Sequence, residues 1–343
     1  MMKLIACSLL ATSLVASMCA AETVDPFMGD WQGRVTLGDG PPQDVAVHLI
    51  PRGGGNYEAR VVRAFNERSP VLHRLQGRVA DGQLRLLDAI PFDPAHVLRA
   101  VEDGVVVQAA YWTSAVQNGA VEGTVAGRLQ GTFVWRQSTR VSPTLGKEPP
   151  AGAVVLFDGS NLEAWKKVGE DPARPGWKLL ADGSMEVKGG DIVTRRVFGD
   201  QQLHLEFKLP YMPYASGQGR ANSGVYLQGR YEVQVLDSYG LEGEDNECGG
   251  VYQVAKPLVN MCAPPLQWQT YDITFRAARF EDGHKVANAR LTVIHNGVVI
   301  QDDIELPKAT GGAIDPNEAV PGGLKLQDHG NPVQFRNIWL LER

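Results

Sequence analysis

The stretch Lys325–Trp339, KLQDHGNPVQFRNIW, sets a carboxylate, Asp328, beside an imidazole, His329, with Gln327 just before them. A terminal strand does not need these three in a row to fold. Imidazole changes charge near neutral pH, which makes His329 the first candidate for acid–base work. A histidine hydrogen-bonded at a strand end is the plainer alternative. Side chains alternate along a strand, so Gln327 and His329 share a face with Lys325. Asp328 points with Leu324 and Leu326, and its expected task is to fix the strand end. Two other stretches follow the same grammar. In LHLEFKL, His204, Glu206 and Lys208 oppose a row of apolar residues, and in YEVQVL, Glu232 and Gln234 oppose Tyr231, Val233 and Val235. Taken together, the three strands offer one polar face of His204, Glu206, Lys208, Glu232, Gln234, Gln327 and His329. Such a set holds an imidazole and carboxylates for proton transfer, and amides that hydrogen-bond hydroxyl groups. A solvated outer face has a similar pattern, and composition leaves both readings open.

Metal chemistry has a weaker signature. No HExxH or CxxC pair occurs, and carboxylates with one histidine suit at most a weak Ca, Mg or Mn site. The loop GLEGEDNECGG carries Glu242, Glu244, Asp245 and Glu247; it is either a calcium loop or, as acidic runs usually are, a solvated one.

The elements that must position these residues read as strands. Short stretches such as DVAVHLI, YEARVVRAF, LHRLQGRV and GQLRLL alternate apolar and polar residues between Gly and Pro clusters. They predict a small antiparallel β domain over residues 22–140, either a sandwich or an open barrel. Residues 141–152, with Pro143, Pro149 and Pro150, read as a linker. From 153 to 343 at least seven more strands follow without a long helix, which predicts a two-sheet jelly-roll sandwich. Asn296-Gly297 supplies the positive φ angles of a two-residue hairpin turn. The fold class is all-β.

The first 21 residues, MMKLIACSLLATSLVASMCAA, run from one Lys through an apolar stretch to small residues, the pattern of an export leader cleaved after Ala21. A lipid anchor at Cys19 is disfavoured by Met18. No other segment is apolar for 18 residues, so no transmembrane span is expected, and the protein is expected to be periplasmic or secreted. Losing Lys3 with the leader shifts the formal charge from −6 to −7, and no basic cluster exists, which argues against nucleic acid as a partner. Two cysteines then remain, Cys248 and Cys262. An even pair in an oxidising compartment predicts a disulfide worth roughly 3 kcal/mol.

A set of motifs, in order, carries a resemblance: LFDGSNLEAW, LEFKLP, ANSGVYLQG, YEVQVLDSYG, CGGVY, WQTYDI, HNGV and LQDHGNPVQFRNIW. Residues from about 153 to 342 resemble the 3-keto-disaccharide hydrolase domain, also called the 3-keto-glucoside 1,2-lyase / 3-keto-2-hydroxy-glucal hydratase domain. The resemblance implies a concanavalin-like sandwich with its site on the concave sheet, and an oligosaccharide or 3-keto-glycoside as substrate. Lys208 and Gln228 stand where Arg is usual, and the first domain lies outside the resemblance. A ketone at C3 acidifies the hydrogen on C2, so a base can remove it while the C1 aglycone leaves, and water can then add to the glucal. On this reading His329 and Glu232 are the acid–base pair, and Glu206 orients or shares the proton. Gln234, Gln327, Asn222 and Lys208 hold the sugar. Asp237 joins them if a bulge turns it onto the face of Glu232, and otherwise caps a turn. Arg336 either contacts substrate or ties the last strand down. Tyr211, Tyr214 and Tyr239 either wall the pocket or fill the core. Two other classes stay open: a glycan-binding module without catalysis, and a conventional glycosidase on the same sandwich.

Overall fold

The computed structural model describes residues 25–80, 82–88, 110–117, 119–127, 129–169 and 175–343. The leader and Cys19 lie outside them. The architecture is all-β; among the described residues the one helical element is a three-residue 3-10 turn, Gly217–Gly219.

The first eight strands, from Gly29–Leu37 to Gly131–Ser138, each pair antiparallel with the next, and the first closes on the last. The domain is therefore a closed barrel rather than a sandwich or an open barrel. Closure gives each barrel strand a hydrogen-bonded neighbour on both sides among the described residues. Inward-facing residues fill the barrel: Trp31, Trp112, Phe133, Trp135, Val47, Val61, Leu75 and Leu84 form one buried cluster.

The rest of the chain forms two antiparallel sheets over one hydrophobic core. The smaller sheet has five strands, in spatial order Trp165–Lys167, Ile192–Thr194, Lys325–Leu326, Ser223–Leu227 and Tyr231–Val235. The larger has Gln201–Lys208 between Gln334–Glu342 and Trp268–Arg276, with Ala289–His295 and Val298–Leu306 beyond. Val154–Phe157 adds to the outer side of Gln334–Glu342. The Asn296-Gly297 turn joins two of these strands with φ of 49° and 82°, the geometry its sequence predicts. Alternation places Leu203, Leu205 and Phe207 of the larger sheet against Val225, Tyr231 and Val233 of the smaller one.

Between barrel and sandwich, residues 139–152 lie along the outer face of the larger sheet. The Ser142 and Thr270 hydroxyls bond at 2.6 Å, the Thr144 hydroxyl donates to Asp272 at 2.6 Å, and the Gly146 N–H donates to Glu206 at 2.5 Å.

Candidate active site

The outer face of the five-stranded sheet is polar. Strand register brings Lys325, Tyr226 and Glu232 into one row across three strands, with Tyr226 opposite both of the others. In the next row Gly224 pairs with Gln234, and the Gln327 N–H donates to the Gly224 carbonyl. Above these rows lies a cavity of about 360 Å³ lined by Asn222, Tyr226, Glu232, Gln234, Gln327 and His329, with Gln218, Tyr252, Gln253, Gly311 and Gly312 at its sides. Gly224 is small for a reason: a Cβ there would overlap a carboxylate oxygen of Glu232 and crowd the Tyr226 ring.

The Glu232 side chain is 3% exposed. Burial lifts its carboxyl to about 7, against the opposing pull of the Tyr226 hydroxyl and the Lys325 ammonium. The Tyr226 hydroxyl accepts from Gln327 Nε2 at 3.1 Å and donates to the Gly311 carbonyl at 3.2 Å. Burial, with Glu232 beside it, raises the phenol above its ordinary range. Three amide oxygens along the cavity, of Asn222, Gln234 and Gln327, are buried without a hydrogen-bond partner. An unpaired buried acceptor is costly, and a ligand rich in hydroxyl donors would satisfy all three. The amide nitrogens are already committed: Asn222 Nδ2 donates to the Gln218 carbonyl at 2.9 Å, and Gln234 Nε2 to Gln218 Oε1 at 3.1 Å.

His329 sits exposed at the cavity, in a loop that Asp328 builds. Asp328 accepts from the Gly190 N–H at 2.7 Å and the Gly330 N–H at 2.8 Å, and its own N–H donates to Asp191 at 2.8 Å. The carboxylate thus fixes the backbone that presents the imidazole.

Other expected site residues are elsewhere. Glu206, Lys208 and Arg336 belong to the larger sheet, and their polar face turns away from the sandwich core toward the linker. Glu206 accepts from Arg336 Nε at 2.6 Å, Asn337 Nδ2 at 3.0 Å and the Gly146 N–H. His204 is buried beside it and bonds Asp272 at 2.8 Å through Nδ1. Lys208 lies over the Trp268 ring, 4.8 Å from its centroid. Period-two alternation separates core from outside, but it does not tell which of two sheets a strand joins. Glu206 therefore lies on the other sheet from Glu232, and its carboxylate is held by the linker and the last strand. Gln228 is buried and donates to the Phe198 carbonyl at 2.9 Å, away from the cavity lining. Asp237 is buried against Arg220 Nε at 2.5 Å and accepts from the Tyr239 N–H at 3.2 Å, so it pins the segment leading to Asn222 without lining the cavity.

The three tyrosines expected as pocket walls or core filling all reach the barrel, and Tyr239 also fills the core as one of the expectations had it. Tyr211 donates to Asp25 at 2.8 Å, Tyr239 to Asp30 at 2.8 Å, and Tyr214 accepts from the Gly54 N–H at 3.0 Å.

Cys248 and Cys262 are two buried free thiols rather than a bridge. The two thiols lie side by side and hydrogen-bond each other, with the Tyr271 hydroxyl 3.2 Å from the Cys248 sulfur and the Leu236 carbonyl 3.5 Å from that of Cys262. In the acidic loop, the Glu247 carboxylate accepts from the Gly243 and Glu244 N–H groups at 2.9 and 3.1 Å, capping its own turn. Among the described residues no group of three or more His, Cys, Asp or Glu is arranged to hold a metal ion.

Tyr226, Lys325 and Asp191 complete the site. Alternation through SGVYL signals Tyr226, since Gly224 and Tyr226 must oppose Ser223, Val225 and Leu227. Asp191 precedes a three-residue strand and carries no such signal.

A buried near-neutral carboxyl under a cavity of unpaired amide acceptors defines a carbohydrate-active enzyme when joined to the family match. Residues 152–341 match the 3-keto-alpha-glucoside-1,2-lyase-like domain, and the chain belongs to that family. A solved structure from Parabacteroides distasonis ATCC 8503, described as a "putative glycosyl hydrolase", is 37% identical with a TM-score of 0.51, covering 57% of this chain and 85% of its own. A second from that organism, described in the same words, is 21% identical with a TM-score of 0.41, covering 56% and 94%. Among functionally curated proteins, none matches the chain.

Proposed function

We propose that the cavity cleaves 3-keto-glycosides by elimination, with Glu232 as the base. Ionised Glu232 takes the proton from C2, and the C–H electron pair moves onto the C2–C3 carbonyl system as an enolate. The enolate then forms the C1=C2 bond as the C1–oxygen bond breaks, and the departing oxygen takes a proton from His329. Addition of water across C1=C2 restores a 3-keto sugar, for net hydrolysis. The observation that carries this reading is the single buried carboxyl held near neutrality. A base that works at pH 7 needs a pKa near there, and burial supplies it. Two flanking carboxylates are the usual equipment for hydrolysing an unoxidised glycoside. Glu232 is the one carboxylate among the described residues lining this cavity, which favours elimination over that chemistry. In the same reading residues 1–21 export the protein, the substrates are neutral oligosaccharide derivatives, and nucleic acid is not a partner.

The test is aglycone release from 3-keto-glucosides beside their unoxidised parents. Release from the oxidised substrate alone is expected, and Glu232→Gln and His329→Ala should each lower turnover about 10²–10⁴-fold in folded protein. Cleavage of the parent glycosides at a comparable rate would overturn the elimination reading, and tight binding of both without turnover would make the protein a glycan-binding module.

A further inference from the structure

The cavity's charge is not set by the residues that line it alone. Lys325 is 2% exposed, a rare position for a lysine. Its ammonium group has three donors and all are engaged. One goes to Asp191 Oδ2 at 2.9 Å, one to the Gly312 carbonyl at 2.6 Å, and the nitrogen sits 3.7 Å from the centre of the Tyr226 ring. The remaining Asp191 oxygen accepts the Asp328 N–H at 2.8 Å. Asp191 therefore joins the loop carrying His329 to the strand carrying Lys325. Lys325, Tyr226 and Glu232 are successive neighbours across three strands, so the cation is one ring away from the carboxyl.

Resting on the assignment of Glu232 as the base, we infer that the buried Asp191–Lys325 pair is a charge-positioning device. Through Tyr226 it sets how readily Glu232 gives up its proton, and it supplies the positive charge opposite the enolate. Lys325 is a positioning residue, since its donors are spent within the protein and none is left for substrate. The arrangement has a chemical purpose. When Glu232 takes the C2 proton, negative charge passes from the carboxylate to the substrate within the same closed space. A cation fixed behind both offsets the charge before and after transfer, without reorganising. The other titratable or charged groups facing Glu232 are Tyr226 on the adjacent strand and Tyr252 and His329 from the cavity loops. The two members of the pair act on Glu232 in opposite senses: Lys325 favours its ionised form and Asp191 disfavours it.

That opposition provides a test that loss of fold cannot imitate. The Glu232 carboxyl would be titrated by NMR in full-length protein carrying 13C-labelled glutamate, with no substrate present and Glu232→Gln to identify its resonance. The same proteins would be assayed for kcat/KM against pH on a 3-keto-glucoside. Lys325→Met should move the Glu232 midpoint, and the rising limb of the pH profile, upward by about one unit, whereas Asp191→Asn should move both downward. Lys325→Met should also lower kcat more than it changes KM. Unmoved midpoints, or shifts in the same direction, would overturn the inference. If Lys325→Met does not fold, Asp191→Asn decides alone: a downward midpoint upholds it, and an unmoved or raised one overturns it. Opposite NMR shifts in a protein that leaves 3-keto-glucosides untouched would uphold the charge device and overturn the elimination reading instead.

Discussion

Glu232 is placed at a cost to the fold. In the unfolded chain its carboxyl titrates near 4.5, and in the folded protein near 7. Between those values the folded state binds more protons than the unfolded one. Stability drawn from the neutral carboxyl is thus full below about pH 4.5 and is lost as pH rises through 7, to a limit of ~3 kcal/mol. Glu232→Gln keeps a neutral side chain of similar shape at every pH. Thermal denaturation should show the variant gaining on the parent between pH 5 and pH 8. A gap that stays constant across this range would place the ionised carboxylate in a solvated setting. Gly224 belongs to the same economy, since the space it leaves is filled by the Glu232 carboxylate.

At the scale of strands and sheets, alternation along LHLEFKL, YEVQVL and LKLQDH separates core from polar face correctly in all three. It also brings Glu232, Gln234, Gln327 and His329 to one cavity. It fails for Glu206, Lys208 and Arg336 because a sandwich has two outer faces, and strand order, not periodicity, decides which one a residue occupies. The charge chemistry of the two faces runs in opposite senses. Burial would raise the Glu206 carboxyl, but the His204 imidazole 3.7 Å away and hydrogen bonds from Asn337, the Gly146 N–H and Arg336 hold it at about 2. Its contribution to stability is complete above about pH 4.5 and is lost as pH falls toward 2. Glu206→Gln should therefore lower stability at neutral pH by about 3–5 kcal/mol while leaving kcat per folded molecule unchanged. Denaturant unfolding with active-site titration separates the two quantities, and a fall in kcat of the folded fraction would bring Glu206 back into the chemistry. The barrel's closure was equally hidden in the sequence, because strand alternation gives the same pattern in an open sheet. What the sequence does show clearly is local: the Asn296-Gly297 turn and the apolar faces of the strands.

Across the whole molecule, barrel and sandwich meet through a small packed seam, with Ile50 of the barrel buried in the sandwich core and the His48 ring 5.2 Å from that of Tyr239, and through hydrogen bonds around it. Asp30 of the barrel is buried and bonds His48 at 2.9 Å, Arg140 at 2.5 Å and Tyr239 at 2.8 Å. Asp25 takes the Tyr57 and Tyr211 hydroxyls, at 2.6 and 2.8 Å. Arg68 donates to the carbonyls of Gly243 and Pro257 at 2.9 and 3.1 Å. The sandwich sides of these contacts are loops that continue into the cavity wall at Gln218, Asn222 and Tyr252. Tyr239→Phe removes one donor from a buried carboxylate and should cost about 1–3 kcal/mol. It should also raise KM, because the loop between Tyr239 and Tyr252 loses its far anchor. Calorimetry and steady-state kinetics on the one variant check both, and an unchanged KM would confine the barrel's influence to stability.

The closed barrel has one further consequence. A sheet with a free edge can join a neighbour by extending its hydrogen-bonded ladder, which ties two bodies along a line and lets register slip. A barrel has no such edge to offer. It is mounted on the sandwich the way an instrument is mounted on a bench, on four separate feet around the buried Ile50 side chain: Asp25, Asp30, the Gly54 N–H and the Arg68 side chain. Each foot is a short list of hydrogen bonds with defined directions, so there is no register to slip and one seating that satisfies all four. Loosening any one foot should tilt the cavity loops rather than slide them.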